Sequence, residues 1–216
     1  MSSTKRVPDE VLTRLAMYHD VLVRLEDAGV RRVRSQELAR ECNVRGDRVR
    51  ADLSRFDRFG IVGHGYDVHV LRINLGRVLR VETPRKAVLI GSGASAEAFL
   101  LGVAAPSALV EVVGVFGAPG EGVAGRMVGG RSVEPFDVVA GVVQSLRVRF
   151  GVVATEPGWA QETVDALQMV GVVAVLNVSG GVVRCPSGVV VETASPMLSF
   201  KRLSFLAPRR GVRVSG

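Results

Sequence analysis

A chain of 216 residues has room for two modest domains, and although 47% of it is hydrophobic, no unbroken apolar run reaches the roughly 18 to 20 residues of a spanning helix. Its first ten residues lack the apolar core of a secretory signal, Cys42 and Cys185 stand apart, and with only three histidines no zinc-ligand spacing forms, so the expectation is a reduced, metal-free, cytoplasmic protein. Of the net charge of +7, residues 1 to 80 carry +5, a basic excess that suits phosphate-backbone binding and equally suits a solvated surface.

Val11, Leu12, Leu15, Val21, Leu22 and Leu25 recur at helical spacing and stop at Asp27-Ala28-Gly29, which predicts a long first helix. Ser35 is a good N-cap for a short second helix burying Leu38, Ala39 and Cys42. After a tight break at Asn43-Val44-Arg45-Gly46, a third helix is predicted from about Asp47 to Phe59, with Val49, Leu53 and Phe56 as its apolar stripe. Two short helices across such a break suggest a helix-turn-helix. At 100° per residue the stripe leaves Asp47, Arg50, Ala51, Ser54 and Arg55 outward with Arg48 beside them, a face that fits a major groove. The competing reading is a solvated face with ion pairs such as Arg48 with Asp52. Gly60-Ile61-Val62-Gly63-His64-Gly65 then predicts a tight hairpin, the wing, with His64 at its tip. A helix from Val68 to Leu79 leads to a boundary at Thr83-Pro84-Arg85.

From Lys86 onward short Val-rich runs alternate with helical segments, as βαβ units around a doubly buried parallel sheet do. The expected strands are Ala87 to Ile90, Val110 to Phe116, Phe150 to Ala154 and Val172 to Leu176; the expected helices lie near Ser95 to Val103, Asp137 to Ser145 and Gly158 to Val170. Directly after the first strand, Gly91-Ser92-Gly93-Ala94-Ser95-Ala96 fits the G-x-G-x-x-G/A turn that seats a dinucleotide pyrophosphate. The acid that should follow the second strand and hold the ribose is missing: Gly117 follows Phe116, and no acid occurs before Glu121. An Arg to take a 2′-phosphate is equally lacking there, with Arg126 and Arg131 more distant. An oxidoreductase would need a catalytic acid or base, yet all three His precede Pro84 and no Tyr-x-x-x-Lys pair occurs, so no enzyme is expected.

The stretch Arg31 to Ala39, the segment Val49 to Phe56, the wing Gly63-His64-Gly65-Tyr66-Asp67-Val68 and Leu176-Asn177-Val178, in this order, resemble the Rex family of redox-sensing transcriptional repressors over roughly residues 6 to 206. The resemblance implies an α/β chain with a winged helix-turn-helix domain over 1–83, a Rossmann-like parallel-sheet domain over 84–195 and a C-terminal dimerisation helix over 196–206 that packs into the partner subunit. The basic tail, 207–216, lies beyond the resemblance and reads as disordered. It further implies a homodimer that binds a palindromic operator when NAD+ is abundant and releases it when NADH rises. Carried onto this sequence, the DNA-binding residues would be Ser35, Arg45, Arg48, Arg50, Ser54, Arg55, Gly63 and His64. The cofactor-binding residues would be Gly91, Ser92, Gly93, Ala94, Ser95, Ala96, Phe116, Gly117, Thr155, Pro157 and Asn177. Departures stand at Gly117, at Asn177-Val178-Ser179-Gly180, at Ser195 where an Asp is usual, and at Ala51, Arg55 and Ile61-Val62 on the DNA side. Thr155-Glu156-Pro157 adds a carboxylate near the expected nicotinamide pocket. They raise the alternative of a Rex-like DNA-binding protein that no longer senses NAD(H).

Overall fold

The computed structural model describes residues 7–56, 60–61, 65–104, 109–123 and 125–207, and the chain divides into two compact units, Met1–Thr83 and Pro84–Gly216.

In the first unit, helix α1 (Asp9–Asp27) buries Val11, Leu15, Tyr18, Val21 and Leu22 along one face, and Asp9 and Glu10 in its first turn suit the positive end of the helix dipole. Strand β1 (Arg32–Val33) leads into α2 (Ser35–Glu41) and α3 (Gly46–Leu53). The pair β2 (Gly60–Ile61) and β3 (Gly65–Asp67) and helix α4 (Val68–Leu79) complete the unit. The strands form an antiparallel sheet in the order β1-β3-β2, in which β2 and β3 are the expected wing hairpin and β1 is an added strand that the sequence pattern did not predict. Gly65 is required there: its φ is +73°, and a Cβ would stand 2.7 Å from the Val33 carbonyl oxygen. Leu38, Val49, Leu53, Leu71 and Leu75 close the core against α1.

Two boundaries differ from expectation. Ser35 is the first helical residue of α2, and the residue before it, Arg34, gives its backbone N–H to Glu37 at 2.6 Å, so the reciprocal carboxylate bond rather than a serine hydroxyl starts the helix. Helix α3 ends at Leu53, not at Phe59; Phe56 still packs on the core from the turn beyond, which is why the apolar stripe ran past the helix end. Residues Val62, Gly63 and His64 lie outside the described residues, as does the tail from Pro208.

The second unit is built on β4 (Arg85–Ile90), α5 (Ala94–Gly102), β5 (Val110–Phe116), β6 (Met127–Val128), β7 (Arg131–Glu134), α6 (Val139–Ser145), β8 (Phe150–Val153), α7 (Ala160–Met169), β9 (Ala174–Asn177), β10 (Val190–Thr193) and α8 (Pro196–Leu206). The strand order is β10-β9-β8-β4-β5-β7-β6, parallel throughout except for β6 against β7. Alternate residues of β4 enter different cores, Val88 and Ile90 on one face and Ala87 and Leu89 on the other, which is why the strand reads as an unbroken apolar run. Chain order runs outward from β4 through β5 to β7 and then returns to β8 on the other side. The crevice at the carboxyl ends of β4 and β8 is therefore the topological switch point, where open α/β sheets bind ligands. Strand β9 begins at Ala174 rather than Val172, because Val172 is held by a helix-ending bond from its N–H to the Leu167 carbonyl. The expected helices over 137–145 and 158–170 each open with a 3₁₀ turn, Phe136–Val138 and Pro157–Trp159.

Helix α8 buries none of its residues: Phe200, Leu203 and Phe205 are 65%, 59% and 88% exposed. Among the described residues no helix is long and apolar enough to cross a membrane.

Candidate nucleic-acid interface and nucleotide crevice

Val49 and Leu53 turn inward on α3 and leave Arg48, Arg50 and Ala51 exposed on the other side. Arg50 Nη1 donates to Ser35 Oγ at 3.0 Å, so the first residue of α2 steadies the guanidinium that the helix presents. Arg45 precedes the helix and pairs with Asp47 at 3.2 Å; both are largely exposed, and such a pair contributes little stability. Ser54 caps the helix end by donating to the Ala51 carbonyl at 3.0 Å, and Arg55 lies in the turn beyond α3 rather than on its outer face.

The ion pair suggested for Arg48 with Asp52 is replaced by another. Asp52 is 1% exposed and accepts from Arg14 Nε at 2.6 Å, Arg14 Nη2 at 2.9 Å and the Tyr18 hydroxyl at 3.0 Å. Burial alone would push this carboxyl up, but the hydrogen bonds from Arg14 and Tyr18 outweigh it and hold Asp52 below the usual carboxylate range. The triad fastens the inner side of α3 to α1, so the outer face has a rigid backing. A lone carboxylate beside the buried stripe of α3 was the available signal for it.

In the second unit the glycine turn follows β4 as expected. Gly91 has φ +132°, and a Cβ on it would lie within 2.9 Å of the Thr155 nitrogen and nearer still to the Ala154 carbonyl. Only glycine lets the end of β4 pass this close to the end of β8. At Gly93, just before α5, a Cβ would have a single neighbour, Glu156 Oε1 at 3.8 Å, so its missing side chain leaves open space above the helix N-terminus. Ala94 and Ser95 form the first turn of α5, and Ala96, fully buried, packs it onto the sheet.

The other predicted cofactor residues also have contacts within the protein. The Phe116 ring is buried in the core, and only its backbone reaches the turn, accepting from the Gly91 N–H at 2.7 Å. Asn177 is fully buried; its amide donates to the Gly181 carbonyl at 2.8 Å, and its oxygen accepts from the Ser179 hydroxyl at 2.6 Å and the Ser179 N–H at 3.1 Å, which shapes the loop after β9. Thr155 is buried at the end of β8, and Pro157 begins the exposed 3₁₀ turn against Gly181. Arg131 spends a guanidinium N–H on the Val112 carbonyl at 2.6 Å. Among the described residues no group of His, Cys, Asp and Glu could hold a metal.

The sequence reading placed no carboxylate at the end of β5, and the structure brings one there. Glu121 folds back so that Oε2 accepts from the Ala118 N–H at 2.9 Å and Oε1 from Ser92 Oγ at 3.5 Å.

A winged helix-turn-helix unit joined to a Rossmann unit defines the class, a regulator with a nucleotide-type crevice. Residues 6–54 match the family model described as putative DNA-binding protein N-terminus. The redox-sensing transcriptional repressor Rex of Chloroflexus aggregans is 30% identical over 209 residues, 97% of this chain and 98% of its own. That of Thermotoga petrophila is 31% identical over 206 residues, 95% of this chain and 98% of its own. The chain belongs to the Rex family. Among solved structures, RSP in complex with beta-NAD+ and operator DNA matches with a TM-score of 0.83 at 25% identity, over 94% of this chain and 93% of that one.

Proposed function

We propose that this protein represses transcription as a DNA-binding homodimer whose hold on a two-fold symmetric operator responds to the NADH/NAD+ ratio. Arg48 and Arg50 on α3 read base edges, Arg45 and Arg55 neutralise phosphates at the two ends of that helix, and β2 and β3 lie along the backbone as the wing. Ser35 orients Arg50, and Ser54 fixes the helix end. Gly63 and His64 belong to the wing tip in this reading. The exposed apolar face of α8 packs on the partner subunit and sets the spacing of the two recognition helices.

The residues of the crevice fit a dinucleotide. Gly91 brings the ends of β4 and β8 together, Gly93 leaves room above the α5 N-terminus for a pyrophosphate, and Ser92, Ala94 and Ser95 supply backbone N–H groups around it. Thr155 and Pro157 line the other side of the switch point. The bound nucleotide supplies a nicotinamide ring whose charge differs between its two redox forms, and Glu156, with Oε1 3.8 Å from a Cβ on Gly93, sets a carboxylate beside the pyrophosphate path.

The observation that carries this reading is that both halves are kept in one chain: an Arg-bearing outer face braced by a buried triad, and a glycine turn open at Gly93, in a sequence 30% identical along its length to named redox-sensing repressors. Selection of bound duplexes from a random pool, at one stated salt concentration, tests it. Enrichment of a two-fold symmetric site supports the reading, whereas recovery of the unselected pool contradicts it.

A further inference from the structure

We infer that Glu121 supplies the ribose-binding carboxylate that the end of β5 lacks. This rests on the reading that the crevice takes NAD(H).

In a Rossmann domain the acid that binds the adenosine ribose stands at the carboxyl end of the second strand and reaches across to the glycine turn. Position 117 cannot supply it here. A Cβ on Gly117 would stand 2.8 Å from Val123 Cγ2, so any side chain there collides with the loop that follows. The backbone of Gly117 is not the constraint, since its φ is not among the positive ones. The loop itself fills the space: the Glu121 N–H donates to the Ala118 carbonyl and the Val123 N–H to the Glu121 carbonyl, both at 2.9 Å. This double turn delivers Glu121 Oε2 to 3.8 Å from the point where a side chain of residue 117 would begin.

The carboxylate also has the right neighbour. Ser92 is the residue between the two glycines of the turn and is 6% exposed, and its hydroxyl meets Glu121 Oε1 at 3.5 Å. That is a long hydrogen bond, easily exchanged for a ribose hydroxyl. Oε2 stays anchored on the Ala118 N–H, so the group is oriented while Oε1 remains available. The chain thus reaches the ribose from four residues further on. A carboxylate in this place accepts from a vicinal diol and repels a 2′-phosphate, so the crevice selects NADH over NADPH.

Titration of the full-length protein with NADH and with NADPH, for the native chain and for Glu121→Gln, tests the inference. Gln keeps an oxygen for the Ala118 N–H, and equal thermal midpoints confirm that the loop is intact. The native chain should bind NADH at least tenfold more tightly than NADPH. Glu121→Gln should bind NADH roughly ten- to a hundredfold more weakly, as loss of a charged hydrogen bond predicts, and should lose most of the preference. NADH affinity within twofold of native in the variant overturns this assignment and leaves the NAD(H) reading standing. A native chain that binds neither nucleotide at millimolar concentration overturns both.

Discussion

Arg14 and Asp52, thirty-eight residues apart, form a two-point ion pair with distances of 2.6 and 2.9 Å that ties α1 to the inner side of α3. Asp52 is almost wholly buried and the Arg14 side chain is 16% exposed, so removing either partner leaves a charge with little water to receive it. Asp52→Ala should cost about 3 kcal/mol, near the lower end for breaking a buried pair. Chemical denaturation of the single variant measures it, and weaker operator binding should accompany it because α3, the proposed recognition helix, loses its backing.

The same carboxylate gives a pH dependence whose sign follows from its direction. Asp52 is held below its ordinary pKa in the folded state, so its contribution to stability is complete above about pH 4 and is lost as pH falls further, through the depressed folded value. Unfolding free energy should therefore drop more steeply below about pH 4 in the native chain than in Asp52→Asn. Parallel acid limbs would contradict the assignment.

Gly91 and Gly93 separate fold from ligand. Gly91→Ala drives a Cβ into the backbone of Ala154 and Thr155 at a strained φ, so a lowered melting temperature is expected. Gly93→Ala meets only Glu156 Oε1 at 3.8 Å; it should melt as the native chain does yet bind NADH at least tenfold more weakly, since the Cβ occupies the path of the pyrophosphate. Differential scanning fluorimetry beside a nucleotide titration reads both.

If α8 is the proposed dimer face, the native chain should sediment as a dimer and Phe200→Asp and Phe205→Asp as monomers at the same concentration. Both rings are more than half exposed, so the changes alter the proposed dimer face rather than core packing within one chain. Operator affinity should fall with the dimer, because one half-site contact cannot replace two.

Much of this was readable in the residues, for identifiable reasons. Helix α4 and strand β5 have the bounds their patterns predicted, since Leu71 and Leu75 recur one turn apart and Val110 to Phe116 is an apolar run between breaks, and helix α8 has the bounds the family resemblance implied. Strands β6, β7 and β10 escaped because only Val128 and Val133 are buried in the first two and the last is an edge strand that buries no residue, so no strong apolar pattern marks them. Position along the chain does not reveal that strand alternation turns the Phe116 ring into the core or that the Asn177 amide bonds within its own loop. Glu121 was invisible for the opposite reason. A strand-end position can be counted along the chain, but a double turn that returns a carboxylate to the strand end cannot.

For the DNA face, Arg50→Ala should relax the base preference at one position of each half-site at a cost of about 1 to 3 kcal/mol for the preferred sequence. Arg45→Ala should instead weaken all sequences alike and lower the salt slope by about one. Competition binding against a panel of single-base variants distinguishes the two.

Coupling between the nucleotide crevice and operator binding is read most directly from the affinity of the full-length protein for its selected operator, at constant salt and constant total nucleotide, as NADH replaces NAD+. Release of the operator as the NADH fraction rises is the predicted result. An affinity that stays flat across the whole range, with both nucleotides bound, would contradict it.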